Sequence, residues 1–294
     1  MNYKPFLFFL LFLSGITEVL PIHPNVRNFS RKESASGTQN WDICQAANEW
    51  IYFANNNGLL EYDGVRWNIY PIGNYTNVRS IYIDNNSNRV YAGAFNEFGY
   101  YYRNQAGKMA YNSLSSLLPK QHRNFSEIWN IFQIGKAVYF QGNHNLFKYE
   151  NDSTTTFRFN EKISVAVNAH NTVVLAQQGK GVSVLNGNLQ IPIPDKGTLK
   201  GKKIVAILPT EEQKILFFSE NDGIFSYNGK EILPFPTPAD HFLKNNQIFC
   251  ATYSHNKLAI GTVRKGLVMI NLKSDELVFS NTVTGMQNNT VLSI

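Results

Sequence analysis

The chain repeats itself. From Trp41 onward a short apolar strand, a turn and a segment opening on Gly-φ (φ apolar or aromatic; Asn for Gly in the third copy) recur six times. The third-strand segments start at Gly58, Gly99, Asn145, Gly181, Gly223 and Gly266, in steps of 36 to 46 residues. The strands before them read Trp50-Ile-Tyr-Phe53, Arg89-Val-Tyr-Ala92, Ala137-Val-Tyr-Phe140, Thr172-Val-Val-Leu175, Lys214-Ile-Leu-Phe217 and Lys257-Leu-Ala-Ile260. Such a period holds four short strands and their turns. One small sheet cannot bury both of its faces, so the copies must pack face to face around an axis. The expected fold is all-β: a β-propeller of four-stranded blades. Asp63-Gly64, Asn186-Gly187 and Asn228-Gly229 are hairpin signals for the step to the outer strand. Residues 113–118 and 239–243 read as single helical turns inserted in loops. Residues 289–294, Asn-Thr-Val-Leu-Ser-Ile, match the first-strand stretch Asn77-Val-Arg-Ser-Ile-Tyr82. Six blades are therefore visible plus the start of a seventh. Residues 41–294 read as a propeller sensor domain incomplete at its C-terminus, a fragment of a longer protein or a truncated gene product, because an open ring exposes two sheet faces.

Composition agrees. Hydrophobic residues at 43% supply a core, and charged residues at 16% argue against a disordered or coiled-coil chain. The net charge of +6 is spread along the sequence. Its one cluster, Lys196, Lys200, Lys202 and Lys203, has no interleaved aromatics, so this segment is expected to bind no nucleic acid directly. Cys44 and Cys250 form no CxxC and read as two separate buried thiols. The six histidines make no H-x-H or H-E-x-x-H pair, so no metal is expected. Asp84-x-Asn86-x-Asn88 opens like a calcium loop but lacks its glycine and final glutamate, and reads as a hairpin turn. There is no Walker motif and no G-x-S-x-G elbow. The expectation is no cofactor and no enzyme.

At the N-terminus Lys4 precedes the apolar run from Pro5 to Ile16. That length suits a signal peptide better than a bilayer span. Residues 1–21 read as a signal peptide cleaved near residues 15–22, or as a short anchor, and residues 22–40 as a polar linker.

The stretch from Trp41-Asp-Ile through Trp50 to Arg66-Trp67 resembles the repeat of two-component-regulator propellers. Residues 91–101 (Tyr-Ala-Gly-Ala-Phe-Asn-Glu-Phe-Gly-Tyr-Tyr) and Phe125-Ser-Glu-Ile-Trp129 are similar to one subgroup, the triple-tyrosine-domain sensors of Bacteroidetes. The resemblance covers residues 38–294. It implies an exported module on the periplasmic side of the inner membrane, sensing a carbohydrate-derived ligand for a signal-transduction and transcriptional regulator. Full-length members add further propeller, the triple-tyrosine domain, a membrane helix and a LuxR-type helix-turn-helix or histidine-kinase output, and those partner domains are absent from these residues. A ligand or a homodimer partner would shift the placement of the propellers.

A ligand site is expected at the mouth of the central channel, where inner strands and their loops converge. The candidates are Trp41, Asp42, Arg79, Asn96, Glu97, Glu127, Trp129 and Asn130. Trp faces stack on sugar rings, while Asp, Asn and Glu accept hydroxyl hydrogen bonds. Two alternatives stand beside the sensor. One is a secreted propeller enzyme or lectin acting on polysaccharide, with Glu97 and Glu127 as an acid/base pair. The other is a protein-interaction scaffold.

Overall fold

A computed structural model describes residues 26–294. The apolar run and the cleavage region expected of a signal peptide lie outside them. Six four-stranded antiparallel sheets form the six blades of a β-propeller, each with its strands in sequence order from the axis outward. The innermost strands are Asn40–Gln45, Val78–Asp84, Asn130–Ile134, Ile163–Ala169, Ile204–Pro209 and Ile248–Ser254. Each second strand pairs with the first on one side and the third on the other and is mostly buried, as in Ile215–Ser219 of blade 5.

Aromatic and branched side chains alternate along these strands, so each sheet shows an apolar row to the blade on either side. Five apolar clusters fill five blade-to-blade interfaces. Between blades 2 and 3 the cluster is aromatic: Phe98 stacks on Phe147 with ring centres 5.1 Å apart and lies 4.5 Å from Phe140. Between blades 4 and 5 it is mostly aliphatic, built on Val174, Ile204, Ile207 and Phe217. Blades 6 and 1 meet differently. Residues 289–294 lie between them: Val291 donates its N–H to Thr262 O, Cys250 donates its thiol to Val291 O, and the Ser293 hydroxyl donates to Asp42 of blade 1. This segment seats on blade 6 as the stretch around Ile128 seats on blade 2. In each case a branched side chain, Val291 or Ile128, presses on a glycine of the second strand, Gly261 or Gly93.

The turns follow the sequence signals. Gly64, Gly187 and Gly229 take φ of 97°, 58° and 92°. The side chains of Asp63 and Asn228 each accept two backbone N–H groups across their turns. Gly58 opens its third strand and Gly266 stands just before its own, with φ of 135° and 81°, and a Cβ on either would collide with the carbonyl of the returning outer strand. Blade 2 departs from the expected boundary. Its third strand starts at Glu97 rather than Gly99, because Asn96 takes the left-handed turn position at φ 52°.

The inserted turns are present as Ser115–Leu117 and Asp240–Asn246, and Leu118 and Leu243 plug them into the core. Residues 26–39 carry the short helix Arg31–Ser34, capped by Ser30 and Glu33, and Phe29 packs 5.2 Å from the Trp67 ring. Cys44 and Cys250 are both free thiols. Burial pushes each up to about 12, so neither is a thiolate near neutrality. Three of the four clustered lysines are engaged, in Lys196–Glu231, Lys202–Asp222 and Lys203–Glu220 ion pairs.

Candidate functional site

The innermost strands share an irregularity that positions the site. In blades 1, 2, 4, 5 and 6 the pairing with the second strand skips one residue: Trp41, Arg79, Ser164, Val205 and Phe249. Each is a β-bulge, an extra residue that leaves the ladder and turns its side chain out of the strand alternation. In blade 3 Trp129 stands one residue before the first pair, its N–H on Gln141 O. All six side chains line one cavity of about 550 Å³ at the axis. The wall continues along Val167, Leu208 and Thr252, and residues 292–294 close the side between blades 6 and 1.

One part of that wall is sharply polarised. The guanidinium carbon of Arg79 lies 4.2 Å from the Trp41 ring centre and 5.8 Å from that of Trp129. The two indoles stand edge to face, 6.4 Å apart. Each indole N–H is anchored behind the ring, Trp41 on Asn56 Oδ1 at 2.8 Å and Trp129 on Asn143 Oδ1 at 3.1 Å. The rings are therefore fixed in orientation while Trp129 keeps 40% of its surface exposed. Arg79 Nε and Nη1 are buried without an acceptor. Burial lowers the pKa of this guanidinium, and the Glu127 carboxylate counters that from a distance.

The eight sequence candidates thus divide. Trp41, Asp42, Arg79, Trp129 and Asn130 share the cavity. Asp42 and Asn130 spend their polar atoms on the blade seams: Asp42 Oδ2 accepts Ile81 N–H at 3.0 Å, and Asn130 Nδ2 donates to Ala166 O at 2.8 Å. Asn96, Glu97 and Glu127 are absent from the cavity lining. The Asn96 side chain accepts the N–H groups of Phe125 and Ser126 and fixes the loop between blades 2 and 3. Glu97 is buried and accepts from the Tyr111 and Ser113 hydroxyls. Glu127 accepts from the Ser126 hydroxyl at 2.6 Å. The two glutamates therefore serve different local networks. Among the described residues no cluster of His, Cys, Asp or Glu has the make-up of a metal site. Ser164, Val205 and Phe249 were not candidates. Superposing the six first strands column by column puts them in register with Trp41 and Arg79, which is the signal that would have found them.

Asp42 titrates unusually. Burial pushes it up to about 6, against the pull of its hydrogen bonds from Ile81, Ile43 and Ser293. The folded chain then holds a proton that the unfolded chain releases above about pH 4. This contribution is complete below pH 4 and is lost as pH rises through 6. We expect the stability difference between wild type and Asp42→Asn to shift by about 2 kcal/mol between pH 4 and 7 in urea melts, against wild type as pH rises. Parallel pH profiles for the two proteins would refute this assignment.

No family model matches the chain, and no curated protein matches it. Solved structures do. The extracellular domain of a putative hybrid two-component system from B. thetaiotaomicron superposes with a TM-score of 0.64 at 18% identity, over 85% of this chain and 35% of that one. The chain thus spans about a third of that domain's length. Virginiamycin B lyase from Staphylococcus aureus gives a TM-score of 0.65 at 13% identity, over 83% and 84% of the two chains. The WD40 propeller domain of Doa1 gives 0.66 at 8% identity, over 88% of each. At these identities the likeness is one of fold.

Proposed function

We propose that this propeller is the ligand-sensing part of an exported signal-transduction regulator, and that it takes a small carbohydrate-derived ligand in its axial cavity. The observation that carries the reading is the pair of oriented, partly open tryptophans flanking Arg79 in a cavity large enough for a disaccharide. Aromatic faces held by their own N–H anchors offer a sugar ring its apolar side without a further ordering cost. The fold likeness to an extracellular two-component domain and the apolar N-terminal run support export. The periplasmic side of the inner membrane is the location this implies. Among the described residues no helix is long and apolar enough to cross a membrane. Binding would be passed on to partner domains through the blade that residues 289–294 join to blade 1, by favouring one relative placement of the domains.

The test is a titration of neutral and acidic oligosaccharides against intrinsic tryptophan fluorescence. A saturable change is expected, weakened about tenfold or more in Trp129→Ala at an unchanged melting temperature. Binding that is indifferent to both Trp41→Ala and Trp129→Ala would place the ligand elsewhere and overturn the reading.

A further inference from the structure

The unpaired guanidinium says more about what enters the cavity. We propose that the ligand carries an anionic substituent, a carboxylate or a sulfate, which Arg79 receives while Trp41 and Trp129 hold the ring that bears it. This rests on the axial cavity being the ligand site.

Arg79 is the bulge residue of blade 2, so the fold turns it toward the axis rather than into a blade interface. A guanidinium brought out of water normally finds a carboxylate or a set of carbonyls. Arg79 has neither. Two of its nitrogens are buried without an acceptor, and among the described residues it forms no ion pair. Glu127 is the carboxylate that acts on it, and the Glu127 side chain is held by the Ser126 hydroxyl. The indole faces offset part of the desolvation, but they leave the in-plane N–H donors unsatisfied. The rest of the wall leans the same way. Lys162 and Lys203 join Arg79, while the acids are Glu220, paired with Lys203 at 2.6 Å, and Asp42, whose oxygens face the seam. An anion in the cavity meets a guanidinium whose charge no protein acceptor balances, set between two aromatic walls, which favours a charged sugar over a neutral one.

The experiment compares matched probes by fluorescence titration at constant ionic strength: galacturonate dimer and galactose 6-sulfate as the anionic arms, galactose dimer and galactose as their neutral counterparts. Galacturonate dimer or galactose 6-sulfate is expected to bind at least about tenfold tighter than its counterpart, and the better of the two names the anion. Arg79→Met should erase that preference, bringing each charged probe to within about twofold of its neutral counterpart in the same variant, and Arg79→Lys should restore part of it. Equal affinity for charged and neutral probes, or a preference that survives Arg79→Met, overturns the anion assignment and leaves the cavity as a sugar site. No response to any probe up to saturating concentration overturns both. Should Arg79→Met fail to fold, the wild-type comparison of charged with neutral probes still decides.

Discussion

Arg103→Met should destabilise the protein by about 3–5 kcal/mol, read as a large drop in the urea midpoint. Glu61 sits on the third strand of blade 1 with 2% of its side chain exposed, and Arg103 reaches it from the third strand of blade 2 at 2.6 Å. Tyr70 and Asn68 complete the shell around the same carboxylate, at 3.0 and 3.3 Å. Removing the arginine leaves a buried charge with only neutral donors. The cost lies in that stranded carboxylate, because Arg103 itself is partly exposed; its guanidinium also stacks over the Trp50 ring at 4.9 Å. The double variant Glu61→Gln/Arg103→Met is therefore expected to recover most of the loss. A double variant as unstable as Arg103→Met alone would show that the guanidinium's stacking on Trp50 matters rather than the stranded charge.

Gly266→Ala should cost about 2–4 kcal/mol. Two penalties add at this position. The backbone is left-handed, and the new Cβ would be driven into the carbonyl oxygen of Ser280 on the neighbouring strand. Gly181 has a similar φ, 89°, but open space where its Cβ would be. Gly181→Ala therefore carries the conformational penalty alone and should cost about 1 kcal/mol. Equal losses at the two sites would mean that the strand beside Gly266 simply moves aside.

The repeat could be read from sequence because its markers are backbone requirements. A glycine at 58, 223 or 266 is demanded by φ, whatever its neighbours are, so it survives as a visible letter. Blade 3 carries Asn145 at that place for the same reason: no left-handed backbone is needed there, and the letter is free to change. The site was half legible. Trp41, Arg79 and Trp129 stand out by chemistry, and the fold does bring them together. Asn96 and Glu97 stood out equally, yet one is a turn residue and the other a buried acceptor. Residue type cannot separate a polar group facing a ligand from one satisfying its own scaffold. Val205 and Phe249 stayed hidden because a bulge adds one residue without altering the apolar pattern around it.

The bulges also separate the residues that build the blades from those that face the axis. On either side of Trp41, Arg79, Ser164, Val205 and Phe249 the strands pair normally, so each of these residues can be exchanged without rewriting a blade. Together with Trp129 they spell a short word around the axis. Changes at these six positions would reshape the axial wall while the strand ladders stayed paired; only at Trp41 and Val205 would they also touch a blade core.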